Sequence, residues 1–382
     1  MDNNIYLDHN ATSPLLPEAQ TAMNEVAEKS LGNPSSPHWA GRDAKILLEE
    51  ARDSLAKSLG AEPREIIFTS GGSESNNAVL RQFSLSSEKQ HLITSSIEHP
   101  SVLETCRILA KQPNISLTEL PVDSSGLLDP ESLRDGILSQ TSLISLMAAN
   151  NETGCLQPIK ELSQIAQEHE IVFHTDMVQA SGKIKFDLKK SGINFASVTS
   201  HKIGGPRGIG LLYAKQGTNF ESLVSGGKQE RVRRAGTENV TLAVGFAKAL
   251  EWYLVNQNRL QKQNTHFRQK VLDKINKIDG FFQNTNLDHS LQHTLNFGFS
   301  GISAESLLIS LDLDGVAVST GSACSSGAME ESHVLLAMGR SRSEAKSSLR
   351  VSWGWSTNVD EIDYFLERLT HHTHRLQQKQ EN

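Results

Sequence analysis

Between about residues 60 and 214 the chain alternates short apolar runs with stretches of helical periodicity, and no other feature restricts its fold as strongly. The runs fall at 66–68, 92–93, 143–148, 171–173, 195–198 and 209–213. Strand-length runs at this spacing describe βαβ units, and these demand a mostly parallel sheet covered by helices. Just upstream, Leu48, Ala51, Leu55 and Leu59 recur every three or four residues, the signature of one apolar helix face ending near Gly60. The fold class is therefore α/β. At 382 residues the chain exceeds what one core organises, so a second, smaller unit is expected after this sheet. A long helical stretch from about 240 to 278 is placed to bridge the two. Beyond it come strand-like 295–297, helix-like 304–311, helix again near 334–336 and strand-like 349–353.

Composition excludes several classes of function. A net charge of -7 leaves no electrostatic footprint for direct contact with nucleic acid or an anionic membrane. No apolar run approaches the roughly 18 residues that span a bilayer, and residues 1–10 lack the basic and apolar regions of a secretion signal. Cys106, Cys155 and Cys324 are odd in number and form no CxxC pair, which suits a reducing compartment. A cytoplasmic location is the expectation.

Five segments could carry chemistry. The run Ile66-Ile67-Phe68-Thr69-Ser70-Gly71-Gly72-Ser73 reads as strand, small-residue turn and helix start. Gly71 and Gly72 allow close backbone approach and Ser73 offers a hydroxyl, so the turn suits a phosphate or is simply an N-cap. Asp176 ends another apolar run, where open α/β sheets place their ligands, beside His174 and Gln179; it could equally cap a helix. Lys202, in Ser200-His201-Lys202, stands between a buried-looking strand and a glycine-rich turn, where an amine could meet a carbonyl cofactor. Cys324 is surrounded by small polar residues in a segment from 319 to 328 that reads as a surface loop, so exposure explains it better than burial. Cys106 and Cys155 have apolar or strand-adjacent neighbours and read as structural. Arg350 sits inside a strand-like run and needs a partner, either a substrate carboxylate or an internal carboxylate. Asp312 and Asp314 lack the other ligands of a calcium loop, so no metal site is read. His371, His372 and His374 are expected to be solvated in a tail that frays over the last dozen residues.

In order and spacing these segments resemble the cysteine desulfurases of the aminotransferase class V superfamily, in the nitrogenase and housekeeping iron-sulfur group. The resemblance runs through Tyr6-Leu7-Asp8-His9-Asn10-Ala11-Thr12, Gly32-Asn33-Pro34-Ser35-Ser36-Pro37-His38, Ser96-Ile97-Glu98-His99 and Asn150-Asn151-Glu152-Thr153-Gly154. It continues through Ser200-His201-Lys202 and Arg234-Ala235-Gly236-Thr237-Glu238-Asn239 to the cysteine loop and Arg350. It implies a type I fold for pyridoxal 5'-phosphate (PLP) enzymes. The large domain, 14–258, would hold a mostly parallel seven-stranded sheet; a smaller α/β domain, 1–13 with 259–382, would carry the cysteine loop.

The resemblance also implies roles. Lys202 would hold PLP as a Schiff base and move the Cα proton of the substrate L-cysteine. Asp176 would pair with the pyridine nitrogen, Gln179 would touch the ring hydroxyl, and His99 would stack on the ring and assist proton transfer. Gly72, Ser73, Thr199 and His201 would bind the phosphate, with Thr237 reaching in from the second subunit of a homodimer. Asn151 and Arg350 would hold the substrate carboxylate. Cys324 as thiolate would take the sulfur as a persulfide, leaving alanine, and a mobile arm from 319 to 332 would carry it to an iron-sulfur scaffold or another acceptor.

Some positions depart from the family pattern. Lys228 and Val232 stand where relatives usually have glycines, Arg207 replaces a lysine, and Val351-Ser352-Trp353-Gly354-Trp355 replaces a Phe-Ser-Leu-Gly-Arg run. The two tryptophans are expected to reshape the mouth of the pocket. Two other readings stay open: a PLP-dependent C–S or C–Se lyase that does not use Cys324, and a silent protein that only binds a sulfur acceptor.

Overall fold

The computed structural model describes residues 4–29, 32–321 and 331–378. In chain order the elements are β1 (Ile5–Tyr6), α1 (Pro17–Ala27), α2 (Trp39–Leu59), β2 (Ile66–Thr69), α3 (Gly72–Arg81), β3 (Gln90–Ser95), α4 (Pro100–Leu109), β4 (Ile115–Leu120) and α5 (Pro130–Gly136). Then come β5 (Thr141–Ser145), α6 (Ile159–Glu168), β6 (Val172–Asp176), β7 (Phe195–Thr199), β8 (Gly210–Ala214) and α7 (Val240–Ile275). The C-terminal elements are β9 (Phe281–Gln283), β10 (Thr294–Phe299), α8 (Ala304–Leu313), β11 (Val316–Ala317), α9 (His333–Ala337), α10 (Arg342–Lys346), β12 (Ser348–Ser352) and α11 (Val359–Gln378).

Seven strands form the large sheet in the order β2-β8-β7-β6-β5-β3-β4. Only β8 runs against its neighbours, pairing antiparallel with both β2 and β7, so the sheet is mostly parallel as the periodicity requires. All six apolar runs become strands of it. The seventh strand, β4, has the mixed run Ile-Ser-Leu-Thr-Glu-Leu, because an edge strand with an exposed side needs no continuous apolar character. The run at 143–148 is strand only to Ser145, although Leu146 and Ala148 continue to donate to the His174 and Asp176 carbonyls.

The helix face at Leu48, Ala51, Leu55 and Leu59 is buried in the core around this sheet, and Gly60 ends α2 in the left-handed conformation at φ 66°. A second core gathers Ile5 and Leu7 with Leu295, Phe297, Leu311, Leu349, Trp353 and Phe365. It lies on the antiparallel sheet β12-β10-β9, beside which β1 pairs in parallel with β11. Helix α7, 36 residues and about 54 Å long, joins the two cores. Ala243, Phe246 and Leu250 of its first half enter the first, and Phe267, Val271 and Ile275 of its second half enter the other.

The C-terminus differs from expectation. Helix α11 persists to Gln378, and His372 is 5% exposed with its ring nitrogen 2.7 Å from Asp314 Oδ2. An amphipathic face formed by Ile362, Phe365, Leu366 and Leu369 holds the tail down, so His372 is not solvated. Among the described residues no three His, Cys, Asp or Glu side chains are grouped to hold a metal ion, and no helix is long and apolar enough to cross a membrane.

Candidate active site

The large sheet delivers its chemistry at the ends of β6 and β7. Asp176 is the last residue of β6 and only 5% exposed. Its Oδ1 accepts from the Val178 N–H at 2.9 Å and its Oδ2 from Asn76 Nδ2 at 2.7 Å. Lys202 follows β7 by three residues, on a single helical turn over Ser200–Ile203 that closes at Gly204 in the left-handed conformation. Its Nζ donates to the carbonyls of Asn10 and Ala11 at 2.5 and 2.7 Å. Gln179 Nε2 donates to the same Asn10 carbonyl at 2.9 Å, while its Oε1 accepts from Lys183 Nζ at 3.1 Å.

His99 caps α4 and is tied to Asp176 through two side chains. Asn76 Nδ2 donates to both Asp176 Oδ2 and Ser101 Oγ, and Ser101 Oγ lies 2.8 Å from His99 Nδ1. The Ser101 N–H also donates to Nδ1 at 3.1 Å. With Nδ1 acting as acceptor, a neutral ring carries its proton on Nε2. Burial favours that neutral form, opposed by the Asp176 charge and assisted by those of Lys202 and His333.

A cleft of about 380 Å³ lies between the β2–α3 turn and the segment after β7. Thr12, Gly71, Gly72, Ser73, Thr199 and His201 line it, and Arg207 opens on the same space. Helix α3 begins at Gly72, so its first backbone N–H groups face an anion-sized hollow. A Cβ on Gly72 would stand 2.6 Å from Val178 Cγ2, which ties glycine to this close approach. The Glu74 carboxylate at the rim is turned to Arg234 and to the Ser70 N–H. Buried carboxylate, lysine amine and phosphate-sized cradle together fit the cofactor that the resemblance implies.

Arg350, on β12, is almost fully buried; its guanidinium pairs with Asp8 Oδ1 at 2.6 Å and donates to the Asn151 carbonyl at 3.1 Å. Its Nε is buried without a partner. The internal ion pair that the sequence left open is thus formed, on the same side as Asn151. Thr237 is exposed and is not among the residues lining this chain's cradle. Cys324 lies outside the described residues. Cys106 and Cys155 are fully buried, and burial pushes both thiols up to about 12, which makes them inert.

Several residues of this region carry no sequence signal beyond their motif. Glu152 is 3% exposed, accepts from Ser332 Oγ at 2.5 Å, and leaves only 2.7 Å between its Oε2 and a Cβ placed on Gly321. It is therefore bonded to the described residues after the stretch that contains Cys324 and packs close to Gly321 before it. Glu98, beside His99, accepts from Ser95 Oγ and the Met147 N–H through Oε1, while its Oε2 is buried without a partner. Burial raises this carboxyl from the ordinary 4.5 to about 8. The folded chain keeps the proton up to that pH, whereas the unfolded chain releases it near 4.5. Stability from this group is complete below 4.5 and is lost as pH rises through 8. Glu98→Gln, an uncharged isostere of the protonated acid, is expected to flatten this dependence. Its melting temperature should exceed the parent's at pH 8 by on the order of several degrees and match it near pH 4.5; thermal scans across that range check it, and parallel curves would refute it.

Three consecutive residues without glycine, Glu230, Arg231 and Val232, take left-handed φ values of 46°, 57° and 69°. Val232 is β-branched and 65% exposed, so packing does not repay the strain. Val232→Gly is expected to stabilise the chain by about 1 kcal/mol, read as a higher urea midpoint; a lower midpoint would show that the backbone there is not strained.

The aminotransferase class-V family matches residues 5–365. A cysteine desulfurase IscS of Dictyoglomus turgidum is 42% identical over 372 residues, which cover 97% of this chain and 94% of the relative. Among solved structures, a NifS-like protein superposes with a TM-score of 0.91 at 34% identity, covering 98% of this chain and 100% of that one. SspA in complex with cysteine superposes with a TM-score of 0.82 at 33% identity, covering 91% and 98%. The chain belongs to the aminotransferase class-V family, as a PLP-dependent cysteine desulfurase of the IscS/NifS group that converts cysteine to alanine with transfer of sulfur.

Proposed function

We propose that the sulfur of L-cysteine leaves through a persulfide on Cys324 and that the residues gathered around Lys202 prepare it for transfer. The observation that carries this reading is the convergence of the Asp176 carboxylate, the Lys202 amine and the phosphate-sized cradle at the ends of adjacent strands. PLP, when bound, supplies an electron sink for the bond to the substrate Cα.

Lys202 would hold the cofactor and move the Cα proton; its amine lies against the Asn10 and Ala11 carbonyls, which orient it. Asp176, fixed by Asn76 and the Val178 N–H, would keep the pyridine nitrogen of the bound cofactor protonated. Gln179 has one amide hydrogen on Asn10 and a second for the ring oxygen. Gly72, Ser73, Thr199 and His201 receive the phosphate, and Thr237 joins them from the partner subunit of a homodimer. Arg350 and Asn151 take the substrate carboxylate. His99, with its proton on Nε2, would stack on the bound ring and serve the thiol while Lys202 serves carbon.

The Cys324 thiolate attacks the substrate sulfur, so the S–S bond forms as the C–S bond breaks. The electron pair of that bond stays with carbon, and protonation there gives alanine. Residues 14–258 form the cofactor-binding domain, and 1–13 with 259–382 the smaller one, a division supported by the two cores that α7 joins. The enzyme works in the cytoplasm and passes sulfur to an iron-sulfur scaffold or a comparable acceptor protein.

Cys324→Ser tests the carrier directly. With PLP retained, alanine release from cysteine is expected to fall at least a hundred-fold, on the order of the loss of an essential nucleophile. Mass spectrometry of the parent enzyme should place the extra sulfur on the peptide containing Cys324. Unchanged alanine release would instead favour a lyase, and sulfur on Cys106 or Cys155 would reassign the carrier.

A further inference from the structure

A separate cleft of about 480 Å³ reaches Lys202 and shares no lining residue with the phosphate cradle. Asp176, His99, Asn151 and Arg350 are all absent from its wall, so it is not the space assigned to the cofactor ring or the substrate carboxylate. Two departures from the family pattern line it instead. Trp353 is fully buried, and Trp355 is fixed by donating its Nε1 to the Pro14 carbonyl at 3.0 Å. The tryptophans therefore shape this second cleft rather than the mouth beside Arg350.

The wall has a definite chemistry. Lys183, Lys185 and a single carboxylate, Asp288, line it, while the Lys202 amine in the same wall is bonded to the Asn10 and Ala11 carbonyls. The Lys183 amine is bonded to a neutral group, Gln179, and burial, with the like charges of Lys202 and Arg350, pushes it down to about 7, so a carboxylate beside it would restore its charge. Two buried polar atoms of the lining have no partner: the Trp353 Nε1 donor and the Asn264 Oδ1 acceptor. Such atoms cost free energy until something pairs with them. Around them Tyr253, Leu260 and Trp355 supply aromatic and aliphatic surface. A cleft of this size, with an aromatic and aliphatic patch beside placed polar groups, can take a small molecule.

We propose that this cleft binds a small carboxylate that carries an apolar or aromatic body and an N–H group. The carboxylate answers Lys183 and the Trp353 N–H, the ligand's N–H answers Asn264, and its body lies against Trp355 and Tyr253. The contacts proposed for this ligand do not involve Cys324.

Hippurate is a suitable probe: it has a carboxylate, an amide N–H and a phenyl ring, and it has no primary amine to react with PLP. Titrated into the holoenzyme, it is expected to change tryptophan fluorescence saturably with a dissociation constant below about 1 mM. Hippuramide, which lacks only the charge, should bind about ten-fold more weakly, as should hippurate to Lys183→Met; Lys183→Arg should retain binding. The hippuramide comparison needs no variant, and Trp355→Ala should lose most of the signal. Absence of saturation up to about 10 mM would overturn the proposal. So would binding that survives Lys183→Met but is lost in Arg350→Gln, because the probe would then occupy the substrate's place.

Discussion

Lys202→Ala is expected to lower alanine formation from cysteine by at least about a thousand-fold, with the fold intact. The amine donates to the Asn10 and Ala11 carbonyls and stands just past β7, whose neighbour β6 ends in Asp176. Lys202→Arg is the sharper variant. A guanidinium can still donate to Asn10 and Ala11, but it neither condenses with a carbonyl carbon nor gives up a proton near neutral pH. Both variants should be inactive when alanine is quantified by mass spectrometry in the presence of added PLP. Activity within ten-fold of the parent enzyme in Lys202→Arg would mean that Lys202 acts only as a fixed charge.

Glu230→Ala should destabilise the chain by about 3–5 kcal/mol, the cost of stranding a buried charge. Arg52 and Glu230 have side-chain exposures of 3% and 1% and are joined by two hydrogen bonds of 2.7 and 2.8 Å. Glu230 also accepts from the Phe68 N–H, while Arg52 donates to the Ile66 carbonyl and lies over the Phe68 ring. The pair thus fastens β2, and with it the turn that leads to Gly71 and Gly72, to the left-handed stretch at 230–232. Removing both charges with Arg52→Met and Glu230→Met together should recover most of the loss, because no ion is then left unpaired. Urea denaturation of the two single variants and the double variant checks this. A loss below about 1 kcal/mol in Glu230→Ala would show that water reaches Arg52.

The contrast between these two residues shows what the sequence made legible. Lys202, Asp176 and the Gly71-Gly72 turn each follow or begin an element whose periodicity is plain, so their places at the ends of strands could be anticipated, whereas His99 was carried by the family resemblance. Glu98, Glu152 and Glu230 could not. Acidic residues ordinarily lie on the surface, and nothing local distinguishes a carboxyl whose partners lie far along the chain. Glu230 meets Arg52 across 178 positions and Glu152 meets Ser332 across 180. Strand β4 escaped for a different reason, its half-exposed edge position, and His372 because the apolar face from Ile362 to Leu369 upstream was enough to hold it. Arg350 shows an intermediate case: its need for a partner was evident from its strand, but Asp8 as that partner was not.

The pairing of Arg350 with Asp8 spans 342 positions, and Asn10 likewise depends on Ser352 and Thr294 for its hydrogen bonds. A ribosome adding about 5–20 residues per second needs roughly 20–70 s to supply the second half of that contact. The large sheet can be complete long before, with Lys202 already on its turn and the Asn10–Ala11 segment held by Gln179 and His201 but not yet by Ser352 and Thr294. Competence is therefore acquired late and all at once, when β12 arrives. A chain truncated before residue 348 is expected to fold its sheet and yet leave the lysine amine unaligned.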